Sequence, residues 1–545
     1  MYVFFYCDIM DSSIKFTINS LSKIIGGTIK GTDSLDDMKL IKEFNGVFNI
    51  LSDAKKGDII IRHWIDEKGI QLAYQKGVLA IITEDIRGTA LDVAESFHFP
   101  VIVVDKIEIA NAFALKYTLG QFGADSKKIV VSGTNGKSTT SHLIYHILKS
   151  SGFNAFTNTD SKSEYNTLID PMASKLISDN YDVTNPYEYI VIEVSEVQGW
   201  LNKLMKNHAY LMSEAVDPDV AVVTNISLDH IGLVNSIDEV FNETSGLARG
   251  INNGFLVLNL DDENVKSMAK FADDKNKNVK TFYFSFFDNE LIKNTNIDSN
   301  NNSNSSNNTE KYNEKEYYKS IIDLNALLFY SSEKKGIIYK NELVLELDDF
   351  PLKSKHFIQN ILAAFSVCVC LKIPIESINK GIKSYKPLKR RFSTIHLNPL
   401  IIDDFAHNPE GIKATINAVS KLDYNALWII NAIRGSRGLD INSLNANSLV
   451  EAILNLYKNE KSNLNLLLTN SVDVVDAVNL VTDDEKNIFL DVLKQNNINF
   501  NFYDKLEESL LKVYDESNLN DVILLIGAQG MDPAESVLKK IIDKN

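Results

Sequence analysis

Cysteine is nearly absent from the 545 residues: three occur, Cys7, Cys368 and Cys370. That number builds neither a disulfide framework nor a four-ligand zinc site, and the last two fall in an apolar helical run where packing accounts for them. No apolar stretch approaches the roughly 20 residues that cross a bilayer, so no membrane partner is expected. The opening Met1–Met10 is apolar, but it carries Asp8 and lacks a basic leader and a small-residue cleavage site. Together these absences predict a cytoplasmic protein. Basic residues are also short, 56 Lys and Arg against 72 Asp and Glu, giving a net charge of −16. A nucleic-acid binder needs a basic face, so no nucleic-acid partner is expected; a small anionic substrate needs only a local basic pocket. What is present, 44% hydrophobic and 23% charged residues, is an ordinary globular composition, and the length implies about three or four domains.

The chain is organised around Lys128-Ile-Val-Val-Ser-Gly-Thr-Asn-Gly-Lys-Ser-Thr-Thr140. Ile129 to Ser132 read as a short buried strand, Gly133 to Gly136 as a turn, and Ser138 to Lys149 as a helix with Leu143, Ile144, Ile147 and Leu148 on one face. Strand, glycine-rich turn and helix N-terminus make an anion site, because glycine lets backbone N–H groups close on phosphate oxygens and the helix dipole favours negative charge. Gly133, Thr134, Asn135, Gly136, Lys137, Ser138 and Thr139 are the expected nucleotide-binding residues, with Lys137 reaching the β/γ-phosphates and the Ser138 hydroxyl available to Mg²⁺. Val131 stands where the usual spacing wants a first glycine, so the loop is a shortened form.

Gly133-Thr-Asn-Gly-Lys-Ser-Thr-Thr140 resembles the ATP loop of the Mur ligase family, which includes murein peptide ligases, folylpolyglutamate synthases and cyanophycin synthetases. The resemblance implies three domains, with ATP and Mg²⁺ as cofactors. Residues 1–125 carry short β-branched runs, Gly57 to Ile61, Val78 to Ile82 and Val101 to Val104, and read as a small α/β domain. This stretch resembles the domain with which some murein ligases help hold the nucleotide of a UDP-sugar substrate, although a generic α/β cap fits it equally well.

Residues 126–385 read as the central P-loop domain. Tyr189-Ile-Val-Ile-Glu-Val194 places Glu193 at the end of an apolar strand, the usual way to complete Mg²⁺ coordination beside a P-loop, and Glu193 resembles the family's magnesium glutamate. Val220-Ala-Val-Val-Thr-Asn-Ile-Ser-Leu-Asp-His230 resembles a family segment whose histidine ligates a second Mg²⁺. A lone histidine is more often structural, and only the resemblance makes His230 a ligand. By the same resemblance Asn166 and Thr167 face substrate, and Asn259 in Phe255-Leu-Val-Leu-Asn-Leu-Asp-Asp262 contacts adenine. The tract from about 289 to 316 is Asn- and Ser-rich with few apolar residues, and it is expected to be a disordered insertion. Lys355-His-Phe-Ile-Gln-Asn-Ile-Leu-Ala-Ala364 keeps part of a family helix motif, with Lys355 for glycine and Phe357 for asparagine.

Residues 386–545 alternate strand and helix, which predicts an open parallel, Rossmann-like sheet. Arg391-Phe392 resembles a family Gly-Arg-(Phe/Met) link whose arginine reaches the nucleotide, with Arg390 in place of the glycine. Leu400-Ile-Ile-Asp-Asp-Phe-Ala-His-Asn-Pro409 matches the family's Asp-(Tyr/Phe)-Ala-His-(Asn/His)-Pro. Asp404 would bind ribose, while His407 and Asn408 would face the phosphates or the second substrate. Arg434-Gly-Ser-Arg-Gly438 loosely resembles a family loop and makes Arg437 a substrate candidate.

The resemblance therefore implies an ATP-dependent acid–amine ligase, monomeric, acting through an acyl phosphate on small-molecule substrates. Lys137, Glu193 and His230 are its catalytic candidates, and Ser138, Glu193 and His230 its metal ligands. The first domain favours a UDP-linked cell-wall peptide as the acid. The Asn- and Lys-rich composition and the departures from bacterial motifs point to an archaeal relative such as the pseudomurein peptide ligases. A sister ligase acting on a folate, a polyamino acid or a tetrapyrrole carboxylate is one alternative, and a non-catalytic nucleotide-binding paralogue is another. One family feature is missing: the lysine whose carbamate helps hold the second metal would fall near Thr244, and no lysine occurs between Lys206 and Lys266. Glu243, water, or His230 with ATP alone would then have to serve that metal.

Overall fold

The computed structural model describes residues 15–32, 38–159, 171–200, 203–229, 233–274, 277–286, 326–347, 354–458 and 463–543. The expected insertion at 289–316, the substrate candidates Asn166 and Thr167, and His230 lie outside the described residues.

Three main sheets carry the fold, and in each the parallel strands are short, β-branched and buried. Near the N-terminus five strands run in the order Thr28–Lys30, Val101–Val103, Ala80–Thr83, Ile59–Ile61, Phe48–Asn49, all parallel except the first. Ile59, Ile60, Ile61, Ala80, Ile81 and Ile82 are all within 2% of full burial. Such runs, apolar on both faces, suit a sheet covered from both sides.

The central sheet has nine strands, with the P-loop strand Lys127–Ser132 between Val220–Val223 and Tyr189–Glu193. Alternation of side chains sorts this strand's residues to two cores. Ile129 and Val131 pack with Leu143, Ile144, Ile147 and Leu148 of the helix Lys137–Ser150, and Val130 faces the opposite layer with Ile190 and Ile192. Burying four such side chains stabilises the helix by about 1.5–3 kcal/mol each, which fixes its N-terminus against the strand end. At the far edge Leu327–Ser331, Gly336–Tyr339 and Glu342–Glu346 close the sheet, the last two pairing antiparallel. The first two of these strands are additions to the sequence reading.

The third sheet runs Ser393–Leu397, Leu400–Asp404, Val522–Ile526, Leu427–Ala432, Leu464–Thr469, Asn501–Tyr503, parallel apart from the first strand. Helices Pro409–Val419, Leu439–Lys458 and Asp483–Gln495 lie on one face, and Leu506–Glu516 with Ala534–Ile542 on the other. Tyr385, in the link between the sheets, stacks on Phe357 and touches His142 and His146 of the P-loop helix. Asn408, just past the strand Leu400–Asp404, reaches Asn135, just past the P-loop strand, so the C-terminal strand ends of the two sheets face each other, and open parallel sheets bind ligands at such ends.

Candidate active site

The loop Gly133–Gly136 needs its glycines. Gly133 sits at φ +127° and Gly136 at φ +83°, and a Cβ would meet Thr224 Oγ1 at 2.2 Å or Asn360 Oδ1 at 2.2 Å. The close approach follows from a lattice of neutral hydrogen bonds between this loop and the segment after Val223. Thr224 Oγ1 donates to the Asn135 carbonyl at 2.7 Å and Asn225 Nδ2 to the same oxygen at 2.8 Å. Asn135 N donates back to Asn225 Oδ1 at 2.9 Å, and Ser227 N to Thr134 Oγ1 at 2.9 Å. Thr134 N also donates to the Asn225 carbonyl at 2.9 Å, so the first half of the loop is held from behind, and the amides of the helix N-terminus are left to face the cleft.

Two glutamates stand beside the loop. Glu193 Oε1 accepts from Ser138 Oγ at 2.9 Å and its Oε2 from Thr159 Oγ1 at 2.9 Å, while the Asn158 amide holds the Glu193 backbone at both ends. Glu196, 1% exposed, places Oε2 2.6 Å from Lys137 Nζ, and the same ammonium donates to the Thr134 carbonyl at 2.9 Å. The sequence reading missed Glu196. It follows the strand in an irregular segment, and only its spacing of three from Glu193 could have drawn notice.

The opposite wall comes from the third sheet. Arg391 reaches across, with Nη2 3.4 Å from Ser138 Oγ, and lies over the Phe405 ring at 4.7 Å. Asp404 accepts from Ala406 N at 2.9 Å and Thr415 Oγ1 at 3.1 Å; burial raises its pKa, opposed chiefly by the Arg391 charge. Asn408 caps the helix Pro409–Val419 through Gly411 N and extends its Nδ2 to Asn135 Oδ1 and Asp229 Oδ2, both at 3.1 Å. Asp229 also lies 3.6 Å from His407 Nε2 and 3.7 Å from Arg434 Nη1. Asp229 and Arg434 had no role assigned from the sequence, since neither spacing nor pattern marks a contact between distant loops. The segment Ser436–Gly438 hangs on one carboxylate: Glu485 accepts from the backbone N–H groups of Ser436, Arg437, Gly438 and Thr482 at 2.9–3.2 Å. Burial pushes the Glu485 pKa up, but those bonds outweigh it and the net shift is downward.

The cleft between the walls encloses ≈ 1360 Å³ and is lined by Gly136, Lys137, Ser138, Glu193, Asp404, His407, Asn408 and Arg437, among others. His356, whose pKa burial and then the Lys355 charge lower, also lines it. Asn259 is placed differently from the other candidates. It is 2% exposed, donates to the Thr224 carbonyl at 2.8 Å and accepts from Asp261 N at 3.0 Å, so it braces the loop segment behind the cleft and is not on its wall. Thr244 is fully buried and bonds back to the Val240 carbonyl at 2.7 Å, and Glu243 accepts from Asn207 N at 2.7 Å away from the cleft lining. Among the described residues no group of three or more His, Cys, Asp and Glu could hold a metal. The Ser138–Glu193 oxygen pair does fit a hard cation such as Mg²⁺, which completes its shell with phosphate oxygens and water.

A P-loop wall with a strand-end carboxylate, closed by a second parallel sheet carrying Asp, His and Arg at its strand ends, defines a nucleotide-dependent ligase of the three-domain kind. Residues 131–368 match the Mur ligase middle domain and residues 390–529 the Mur ligase glutamate ligase domain. The chain belongs to the Mur ligase family. It is 26% identical over 387 residues to the UDP-N-acetylmuramate--L-alanine ligase of Acetivibrio thermocellus, covering 70% of this chain and 67% of that protein. With the UDP-N-acetylmuramoyl-L-alanyl-D-glutamate--2,6-diaminopimelate ligase of Listeria monocytogenes it shares 25% over 404 residues, 70% and 69% of the two chains. Among solved structures, MurF from Acinetobacter baumannii superposes with a TM-score of 0.62 at 15% identity, covering 97% and 99%. A pseudomurein peptide ligase type C from Methanothermus fervidus gives 0.53 at 18% identity, covering 89% and 95%. Among the described residues no helix is long and apolar enough to cross a membrane.

Proposed function

We propose that this chain joins the carboxylate of a UDP-linked cell-wall peptide precursor to the amine of an amino acid or peptide at the expense of ATP. The observation that carries the reading is the junction of Lys137, Ser138 and Glu193 with Arg391, Asp404, His407 and Asn408 around one cleft. Residues 1–125 act as the acid-substrate domain, 126–385 as the ATP domain and 386–545 as the closing domain, in a monomer. The amides of the helix N-terminus and Lys137 bind the β- and γ-phosphates, and Arg391 approaches from the other side. Ser138 and Glu193 would hold Mg²⁺, which when bound neutralises charge developing on the transferring phosphoryl group. The substrate carboxylate oxygen attacks the γ-phosphorus, the bond to the β-phosphate oxygen breaks, and ADP leaves. The amine then attacks the acyl carbon, loses a proton and expels inorganic phosphate. Lys137 and Arg391 stabilise charge placed on phosphate oxygens in the first step. Positioning by the two walls supplies the remainder, with no side-chain nucleophile needed.

The names of the relatives support a UDP-muramyl or pseudomurein-type acid, since several act on UDP-linked muramyl substrates and one solved structure is a pseudomurein peptide ligase. Phosphate release measured against a panel of UDP-linked peptides, folates and polyamino acids, each with a set of amines, tests the reading. Release that requires both a UDP-linked acid and an amine supports it. Release with another acid makes the chain a sister ligase, and none with any pair makes it a nucleotide-binding paralogue.

A further inference from the structure

Arg390 stands where the family's link has glycine, and its backbone keeps a glycine-like conformation, φ +58°, with Phe392 at φ +53° two residues on. Left-handed backbone is unfavourable for a side-chain-bearing residue, and it persists only where surrounding contacts over-determine it. The Arg390 side chain supplies such contacts. It is 8% exposed; Nε donates to Asp403 Oδ1 at 3.1 Å, Nη1 to the Ala528 carbonyl at 3.0 Å and to Asp532, and Nη2 to the carbonyls of Gly527 and, at 3.4 Å, Asp404. Its own carbonyl accepts from Phe405 N at 2.8 Å, and its N–H donates to Ser393 Oγ at 3.1 Å. The guanidinium thus ties the chain entering the third sheet to the ends of two neighbouring strands, Leu400–Asp404 and Val522–Ile526. It does so from behind the cleft wall. The Phe405 ring carries Arg390 at 5.1 Å and Arg391 at 4.7 Å.

We propose that Arg390 is a positioning residue that aims Arg391 across the cleft at Ser138 and sets the Asp404–Phe405 strand end. A glycine at this point would leave the joint free to rotate, whereas a guanidinium with donors in a rigid fork locks it. Arg391 therefore reaches the nucleotide loop as part of the third sheet. The inference rests on Arg391 acting on nucleotide, as proposed above.

Binding of a non-hydrolysable ATP analogue with Mg²⁺, followed by calorimetry, tests it without an acid substrate. Arg391→Ala should weaken binding roughly tenfold, Arg390→Gly should weaken it by a similar factor, and the double variant should bind no worse than either single one, since coupled residues are non-additive. Arg390→Lys serves as the second background where the glycine variant melts early, and the same non-additivity is expected there. Fully additive losses would overturn the proposal and leave Arg390 as a stabilising residue only. A native chain that binds no nucleotide would instead overturn the function proposed above.

Discussion

On the central side of the cleft, hydroxyls and amides hold the backbone in place: Thr224 and Asn225 fix the loop, and Asn158 the backbone of Glu193, through neutral donors and acceptors. On the C-terminal side, buried charge does the same work, with Arg390 among Asp403 and Asp532, and Glu485 gathering four backbone N–H groups. Neutral networks respond little to pH and salt, whereas bonds to charged groups are stronger and fail at a definite protonation step. The loop backbone of the central wall is thus held by bonds that respond little to pH, whereas the backbone of the C-terminal wall is held by bonds that do.

The largest effect expected is on the central wall. Lys137→Ala removes a charge placed at developing phosphate charge, so ligation should fall by about 10²–10³-fold, and it leaves the buried Glu196 carboxylate unpaired, so the melting temperature should fall as well unless Glu196→Gln is introduced with it. Near-native turnover would remove the loop from the reaction. On the opposite wall, Glu485→Gln leaves one acceptor oxygen for four N–H groups and should cost about 0.5–1.5 kcal/mol, since the donors belong to exposed or half-exposed residues and water can replace part of what is lost. Trp428, buried in the third sheet with Nε1 on Asp521 Oδ2 at 3.1 Å, reports that loss locally when Trp64 and Trp200 are replaced by phenylalanine. An unaltered Trp428 melting curve would show that the loop at 436–438 is held by something else.

The pH profile of the same signal sharpens the contrast, because two carboxylates of this wall pull in opposite directions. Burial raises Asp403 to about 6, opposed by the Arg390 charge. The folded state therefore holds that proton more tightly, and its contribution is lost as pH rises from 3.8 through about 6. Glu485 is shifted down, so its contribution is present above its unfolded pKa of 4.5 and is lost as pH falls below it. Asp403→Asn should flatten the first slope and Glu485→Gln the second; slopes unchanged in both would sink this assignment. The smallest effect is none. With buried Thr244 where the family lysine would fall, activity should not change when bicarbonate is added to a carbonate-depleted assay.

The parts of this architecture that could be read from the sequence are local ones. Strand, glycine turn and helix lie within Lys127–Ser150, and Leu400–Asn408 likewise carries its strand and polar tip together. Distance along the chain hid the rest. Glu485 lies far from the loop it holds, and capture of backbone N–H groups leaves no residue pattern at the receiving end. The strands Leu327–Ser331 and Gly336–Tyr339 escaped because the first has the burial order in, in, half, half, in, without the alternation that marks a half-buried strand. Asn259 was legible as a strand-end asparagine, but not the direction of its amide, which turns into the protein toward Thr224.

The Lys137–Glu196 pair has a consequence for which anions the loop accepts. With its ammonium matched by a buried carboxylate at 2.6 Å, Lys137 offers little net charge to an approaching anion. A short anion such as inorganic phosphate would have to part that pair and has few other contacts with which to compensate. A triphosphate, spanning loop, helix end and opposite wall, has many. The pair thus sets a threshold on ligand length, so that abundant small anions compete poorly with the scarcer long one. Replacing Glu196 by glutamine should lower that threshold, and inhibition by inorganic phosphate should rise; unchanged inhibition would show that the lysine is not being withheld.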